Sequence, residues 1–455
     1  MTRLRSSRAA TETSRFRTSR SDLHKRALDA AIWGMPIVGV DAMRQAYFRD
    51  AGARYNDVVY LSKPADWRLR IATPNASALY VYLNFNVKDG PVVVEVPAAD
   101  EAGLFGSLLD AWQAPKIDVG PDGADEGNGG RYLLISPSHA VDAQSGYTVV
   151  PFETANGYGL FRAIPRSLAD RDVASAIDLI KQLRVYPLAG ADREPTQRFI
   201  DIAGKVFDGI VRLDDSFYDS LARMVNEEPA LARDADMLIQ LRVLGIAKDE
   251  EFAPSDSFRV WLRDAAAEAH ATFMSRAPNV GFPYWPTRAW RWPDAGGAET
   301  TFTFEHDGHL DVDARGLTYY LACAPPVELG KATAYLSAFV DSAGEQLAGN
   351  RHYRLRVPPP VPARQFWAAT VYDLETATFI PESSRVEISS YDHTVERNDD
   401  GSVDVYFGPT PPAGKHTNWL YTGATTGRWF TMFRLYGPEA PLFDKSWMLG
   451  DVERI

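Results

Sequence analysis

Thr73-Pro-Asn-Ala-Ser-Ala-Leu-Tyr80 runs directly into Val81-Tyr-Leu-Asn-Phe-Asn86, and Pro91-Val-Val-Val-Glu-Val-Pro97 follows after Lys88-Asp-Gly90. Leu79, Val81, Leu83 and Phe85 alternate with Tyr80, Tyr82, Asn84 and Asn86. That period of two predicts a strand with one buried face. Asp89-Gly90 is turn chemistry, so the next apolar run reads as a second strand. A matching block lies near the other end: Asn350-Arg-His-Tyr-Arg-Leu-Arg-Val-Pro358, Phe366-Trp-Ala-Ala-Thr-Val-Tyr-Asp373, Asn418-Trp419 and Arg434-Leu-Tyr-Gly-Pro438. Both ends are therefore predicted to be β-rich.

Between them the period changes. Val173, Ile177 and Ile180 predict an amphipathic helix closed by Pro187, and Phe199, Ile202, Val206 and Ile210 predict another. Ser216 opens a third across Phe217, Leu221 and Met224. Ser255-Asp256 opens a last one, through Phe258, Leu262, Ala266 and Phe273 to Pro278. Ahead of the first β block, Ser21 opens a short helix that Pro36 is expected to end. The fold class is thus mainly β with a helical middle. It divides into a disordered basic tail (1–20), an N-terminal β-sandwich domain (21–165), a helical region (166–280) and a C-terminal jelly-roll domain (281–455).

At 455 residues the chain exceeds what one core usually supports, so more than one domain is expected. A net charge of −12 argues against a nucleic-acid partner, which calls for a basic surface. The single cysteine, Cys323, excludes an internal disulfide and a cysteine-rich zinc site. Arg3, Arg5, Arg8, Arg15, Arg17 and Arg20 face a lone Glu12, and no signal-peptide core or membrane-length apolar run follows. No membrane partner and a cytoplasmic location are expected.

Candidate chemistry is scattered. Glu95 interrupts an apolar strand: burial there would raise its pKa and suit it to acid–base work, while alternation with Val94 and Val96 favours a solvated face. Asp110 and Trp112 pair an acid with an aromatic platform. Asn75 and Tyr80 follow a proline corner that suits a pocket mouth. Tyr353, Trp367, Asp373, Asn418 and Trp419, with Tyr372 on the opposite strand face, form either a candidate aromatic pocket with one carboxylate or, the favoured reading, aromatic packing that locks the jelly roll; Arg351 is a candidate anion contact or part of an exposed sheet face. Glu305-His-Asp-Gly-His-Leu-Asp-Val-Asp313 concentrates metal-ligand types, but Asp307-Gly308 is also a favoured hairpin turn, and a solvated hairpin is the expectation.

The two β blocks, with Leu244-Gly-Ile246, resemble the paired family of domain of unknown function 1254 (about residues 50–165) and domain of unknown function 1214 (about 340–455). Tyr353-Arg-Leu-Arg-Val, Phe366-Trp367, Tyr372-Asp373, Asn418-Trp419 and Arg434-Leu-Tyr436 stand in that family's order. Many members carry Asn-Asp-Thr where this chain has Ala76, Ser77 and Ala78, so a role needing a carboxylate there is not carried over. The resemblance implies an immunoglobulin-like sandwich, a helical part and a jelly roll, and brings no agreed reaction. The expectation is an enzyme, a hydrolase of a small polar-aromatic or carbohydrate-like molecule held between the β domains. Asp373 or Glu95 would act as acid or base, Arg351 would position the ligand, and Trp367 and Trp419 would stack on it. No cofactor and no metal are expected. The competing class is a non-catalytic ligand-binding protein or a homo-oligomeric assembly.

Overall fold

The computed structural model describes residues 20–99, 103–139, 146–191, 196–293, 302–425 and 427–455. The basic tail read at 1–20 lies outside them apart from Arg20. Strands and helices both contribute heavily. The N-terminal unit packs a six-stranded sheet on a four-stranded one. The first runs Phe199–Asp201, Val58–Tyr60, Leu79–Asn86, Asn156–Ile164, Gly103–Asp110, Pro115–Val119; the second runs Arg184–Pro187, Val92–Val96, Gly130–Ile135, Thr148–Pro151.

Leu79, Val81, Leu83 and Phe85 meet Val92, Val94, Val96 and Leu134 in the core between these sheets. The alternation is real, but the other face is not solvated. Tyr80 and Tyr82 are also buried, in a second core shared with helix α1 (Arg20–Arg49). The strand is sealed on both sides.

Helix α1 corrects the expectation at Pro36, since it passes through the proline for another 13 residues, to Arg49. A mid-helix proline removes one N–H and crowds the carbonyl four residues back. Here tertiary donors reach the nearby carbonyls. The Arg315 guanidinium donates to Trp33 O (3.2 Å) and Gln113 Nε2 to Pro36 O (3.0 Å). Helices α2 (Asp170–Ile180), α3 (Ser216–Glu227) and α5 (Asp256–Arg276) stand where the periodicity put them. Helix α4 (Ala235–Val243) was not anticipated. The helix predicted from Phe199 to Ile210 is instead two short strands, Phe199–Asp201 and Phe207–Asp208, each joined in parallel to an N-terminal strand. Gly204, at φ +74°, breaks the run between them.

Helix α6 (Val312–Leu321) packs on α1 so closely that a Cβ at Gly316 would lie 2.6 Å from Ile32 O. That oxygen is backbone and cannot rotate away. A Gly316→Ala protein gains about 1 kcal/mol of helix propensity. Overpacking costs roughly 1–3 kcal/mol. Net destabilisation is expected, read as a lower unfolding midpoint; an unchanged or higher midpoint would show that the two helices separate freely.

The C-terminal unit repeats the two-sheet plan. Phe282–Pro283, Arg291–Trp292, Thr333–Ala338, Trp429–Pro438, Ala363–Asp373 and Glu387–Ser389 form the larger sheet. Trp419–Tyr421, Val403–Gly408, Tyr353–Val357 and Glu453–Arg454 form the smaller. Trp367, Ala369 and Val371 enter the core between them with Leu355, Val405 and Phe407. The alternate residues of the same strand face the N-terminal unit: Phe366 and Ala368 pack with Ala78, Ile164 and Tyr436. Among the described residues no helix is long and apolar enough to cross a membrane.

Candidate functional site

The two β units meet at the segment Thr73–Ser77. Pro74 and its neighbours cannot pair as a strand, so side chains of the C-terminal sheet satisfy their backbone. Arg434 donates to Thr73 O (2.7 Å), Tyr372 OH donates to Pro74 O, and Ala76 N donates to Glu387 Oε2 (3.2 Å). The Asn75 amide donates to Tyr436 OH (2.6 Å), and Ser77 Oγ donates to Glu387. The position where the resemblance places an aspartate is thus a serine that meets a carboxylate from the other unit.

Beside this clasp lies a cavity of about 100 Å³. A single water needs roughly 10–15 Å³ on the same measure, so there is room for several waters or a small organic molecule. Thr73, Asn75, Tyr80 and Arg162 line it from the N-terminal unit. Tyr319 and Cys323 line it at the end of α6, and Tyr335, Phe430, Met432 and Arg434 from the C-terminal sheet. Its walls are mostly apolar and aromatic. Among the described lining residues there is no aspartate, glutamate or histidine, whereas Arg162, Arg291 and Arg434 all contribute.

These arginines differ in how they are satisfied. Arg291 gives its donors to the carbonyls of Val280 (2.6 Å), Asn279 (2.9 Å) and Gly281 (2.7 Å). Arg434, 3% exposed, gives its donors to Thr73 O, to Tyr372 OH (2.6 Å) and to Thr370 Oγ1 (3.0 Å). Arg162 lies 5.4 Å from the Tyr80 ring centroid, and its Nε is buried with no hydrogen-bond partner. Among the described residues, no carboxylate stands within ion-pair distance of Arg162 or Arg434. Burial opposes both charges, but neighbouring groups outweigh it and hold both guanidinium pKa values above their ordinary value: Tyr80, Tyr335 and Tyr436 around Arg162, and Tyr372, Tyr436, Tyr80 and the Glu387 carboxylate, beyond ion-pair distance, around Arg434. The Cys323 thiol is pushed up to about 11 by burial, which leaves it protonated near neutrality and a poor nucleophile.

Of the residues singled out in the sequence, Asn75 and Tyr80 line this cavity, and Tyr372 stands one hydrogen bond behind it. The others do not converge on it. Asp373 ends its strand in a turn, accepting from Thr376 N (3.1 Å) and Thr376 Oγ1 (3.3 Å), and burial raises its pKa. Glu95 sits in the small N-terminal sheet opposite Arg184 and Arg131, and accepts from Tyr186 OH (2.6 Å). Trp367 is stacked on Phe433 inside the C-terminal core. Tyr353 is buried in the same core, accepting from Ala348 N (3.0 Å). Trp419 lies on the small sheet, donating to Gly408 O (3.0 Å). Asn418 is a buried staple to Glu396 O (2.8 Å) and Asp404 O (2.9 Å). Arg351 occupies the turn before Tyr353. Trp112 packs edge-on to Trp33 (4.8 Å) under Arg315 (4.7 Å), and Asp110 accepts from the Trp112 and Ala114 backbone rather than facing a ligand.

In the 305–313 segment, Asp307 and Gly308 turn a two-residue hairpin at φ +48° and +77°. Asp313 pairs with Arg276 (2.7 Å), Glu305 with Arg233 (2.8 Å), and Asp311 caps α6.

Two site residues went unread in the sequence. Arg434 stood in a quoted motif without a role. Arg162 was signalled by its position, a lone charge inside Tyr158-Gly-Leu-Phe-Arg-Ala-Ile164.

Comparison with known proteins agrees with this architecture. A family model described as protein of unknown function (DUF1254) matches residues 55–187, and one described as protein of unknown function (DUF1214) matches residues 332–440. No curated protein matches the chain. The crystal structure of the VPA0106 protein from Vibrio parahaemolyticus is similar at a TM-score of 0.55 and 15% identity, covering 95% of this chain and 100% of that one. An uncharacterised protein from Burkholderia cenocepacia aligns at a TM-score of 0.44 and 13% identity, over 96% of this chain and 95% of its own. The first likeness is one of fold alone.

Proposed function

Because the chain belongs to the paired family of domains of unknown function 1254 and 1214, which carries no assigned reaction, we propose a function from the site alone: it binds a small organic anion with an apolar body in the cavity between its two β units. One observation carries this reading. Two guanidinium groups border a mostly apolar cavity with no carboxylate in ion-pair distance among the described residues. An unpaired buried charge costs several kcal/mol, roughly, unless something neutralises it. A carboxylate or phosphate ester would do so, and guanidinium geometry suits either.

The proposal is one of binding, the competing class named from the sequence. Hydrolysis through Asp373 or Glu95 is left out of it, because neither lines the cavity. The immunoglobulin-like sandwich, the jelly roll, the cytoplasmic location and the homo-oligomeric state stay with it as finer proposals.

Arg162→Met tests the reading, since it keeps the bulk and removes the charge. Calorimetric titration with small aryl and alkyl carboxylates, each beside its neutral amide, is expected to show binding of the acids only. The variant should bind them at least tenfold more weakly, as loss of a charge-assisted contact worth about 1.5–3 kcal/mol requires. Equal affinity for acid and amide, or an unaltered variant, would defeat the proposal.

A further inference from the structure

Thr73 combines two features that its packing does not explain. It is a β-branched residue at φ +42°, in the left-handed region that such side chains rarely occupy. Its backbone is pinned there from both sides: Thr73 N donates to Ala377 O (2.7 Å), and Thr73 O accepts from Arg434 (2.7 Å). A conformation of this kind costs roughly 1–3 kcal/mol and persists where the surroundings impose it, most often at functional sites. Two other residues of the cavity wall share the feature, Phe302 at φ +53° and Ala324 at φ +50°. Three of the twelve non-glycine residues at positive φ among the described residues thus line this cavity.

The second feature is chemical. Thr73 lines the cavity, and its hydroxyl has no hydrogen-bond partner among the described residues, although its backbone is fully engaged. Thr318 and Ser337 line the same space, also with unpartnered hydroxyls among the described residues. The remaining polar groups are engaged within the protein, although Tyr80 and Tyr335 each keep an O–H to donate. Asn75 spends its amide on Tyr436 and its carbonyl on Ala78 N (3.1 Å), Tyr80 OH accepts from Asn75 N (3.0 Å), and Tyr335 OH accepts from Thr333 Oγ1 (2.9 Å). What the cavity leaves open for a ligand is one guanidinium and a set of hydroxyls on apolar walls.

We infer that the ligand is an oxygenated acid: an apolar body bearing a carboxylate for Arg162 and a separate hydroxyl or keto oxygen for Thr73. Thr73 then sets the specificity between such acids and their plain analogues. A hydroxyl can donate to either oxygen type and can also accept from a ligand hydroxyl, which an apolar wall cannot do. A site built to bond a ligand oxygen discriminates against the analogue lacking it, because its own polar group is then left unpaired. This inference rests on the anion-binding reading of the same cavity and narrows it.

The test uses phenylacetate, mandelate and 4-hydroxyphenylacetate as probes, titrated into the wild-type chain and a Thr73→Val protein. Valine keeps the β-branch and hence the backbone restraint, so an unchanged unfolding midpoint certifies the variant's fold. One of the two hydroxy acids is expected to bind wild type roughly tenfold more tightly than phenylacetate, about the worth of one hydrogen bond. That preference should vanish in Thr73→Val while phenylacetate affinity stays the same. Equal binding of all three acids by wild type would overturn this inference and leave the anion site standing. A preference that survives in Thr73→Val would overturn the role of Thr73. Binding of none of them would overturn both.

Discussion

Arg434→Met is expected to lower the unfolding midpoint by several degrees, a far larger change than Arg162→Met should cause. Both arginines border the same cavity, and among the described residues neither has a carboxylate within ion-pair distance. The difference lies in their hydrogen bonds. Arg434 satisfies Thr73 O, Tyr372 OH and Thr370 Oγ1, and the last donates in turn to Glu387 (2.9 Å), which holds Ala76 and Ser77. Removing the guanidinium strands a buried carbonyl and breaks the chain that fastens one β unit to the other. Each buried polar atom left unsatisfied costs about 1–3 kcal/mol. Against that stands the relief of one desolvated charge, so a net loss of roughly 3 kcal/mol is the expectation. Lysine should not rescue it, since a single ammonium cannot reproduce the planar fork that reaches three acceptors. Hydrogen exchange supplies the localised readout: amides at 73–78 should lose protection before those of the two sheet cores. A variant as stable as wild type, with the segment still protected, would mean the seam is held by apolar packing alone.

How much of this was legible in the sequence follows from what each signal depends on. Strand alternation at Leu79–Asn86 and at Phe366–Asp373 is local, and it assigned the faces correctly: Trp367 went one way, Phe366 and Tyr372 the other. Whether the second face meets water or another element is not local. The phenols of Tyr80 and Tyr82 fit a rim as well as an interior, and only the arrival of α1 decides. Pro36 misled for the same reason, because the residues that brace the helix around it, Arg315 on Trp33 O and Gln113 on Pro36 O, come from far along the chain. The proposed aromatic pocket failed on geometry. Tyr353, Trp367 and Trp419 are close in pattern but belong to a core and to the smaller sheet, and the residues that do converge come from many separate segments. Arg162 was the one available clue, the lone charged residue of the strand Asn156–Ile164.

Stability is expected to fall as pH rises from 5 to 8, and Glu228 supplies a large, isolable part of that fall. Its carboxyl, 3% exposed at the end of α3, accepts from Ala155 N (2.6 Å), Asn156 N (3.1 Å) and Asn156 Nδ2 (2.7 Å). Burial pushes its pKa up to about 7, against the lowering effect of those donors. In the unfolded chain the group titrates near its ordinary 4.5. Between those values the native state holds a proton that the unfolded state has released, so raising pH favours unfolding. The contribution is complete below pH 4.5 and gone above about pH 7; the shift corresponds to on the order of 3 kcal/mol. Asp118 and Asp373, also raised by burial, act with the same sign over their own ranges. Glu228→Gln separates the terms, since an amide does not titrate. It carries one constant cost for a lost acceptor and leaves the other slopes in place. Urea unfolding of both proteins at half-unit steps should therefore give curves that converge toward alkaline pH and part below pH 6, with wild type the more stable there. Parallel curves across the whole range would mean that Glu228 stays ionised in the folded protein and that its three N–H donors, not its burial, govern the group.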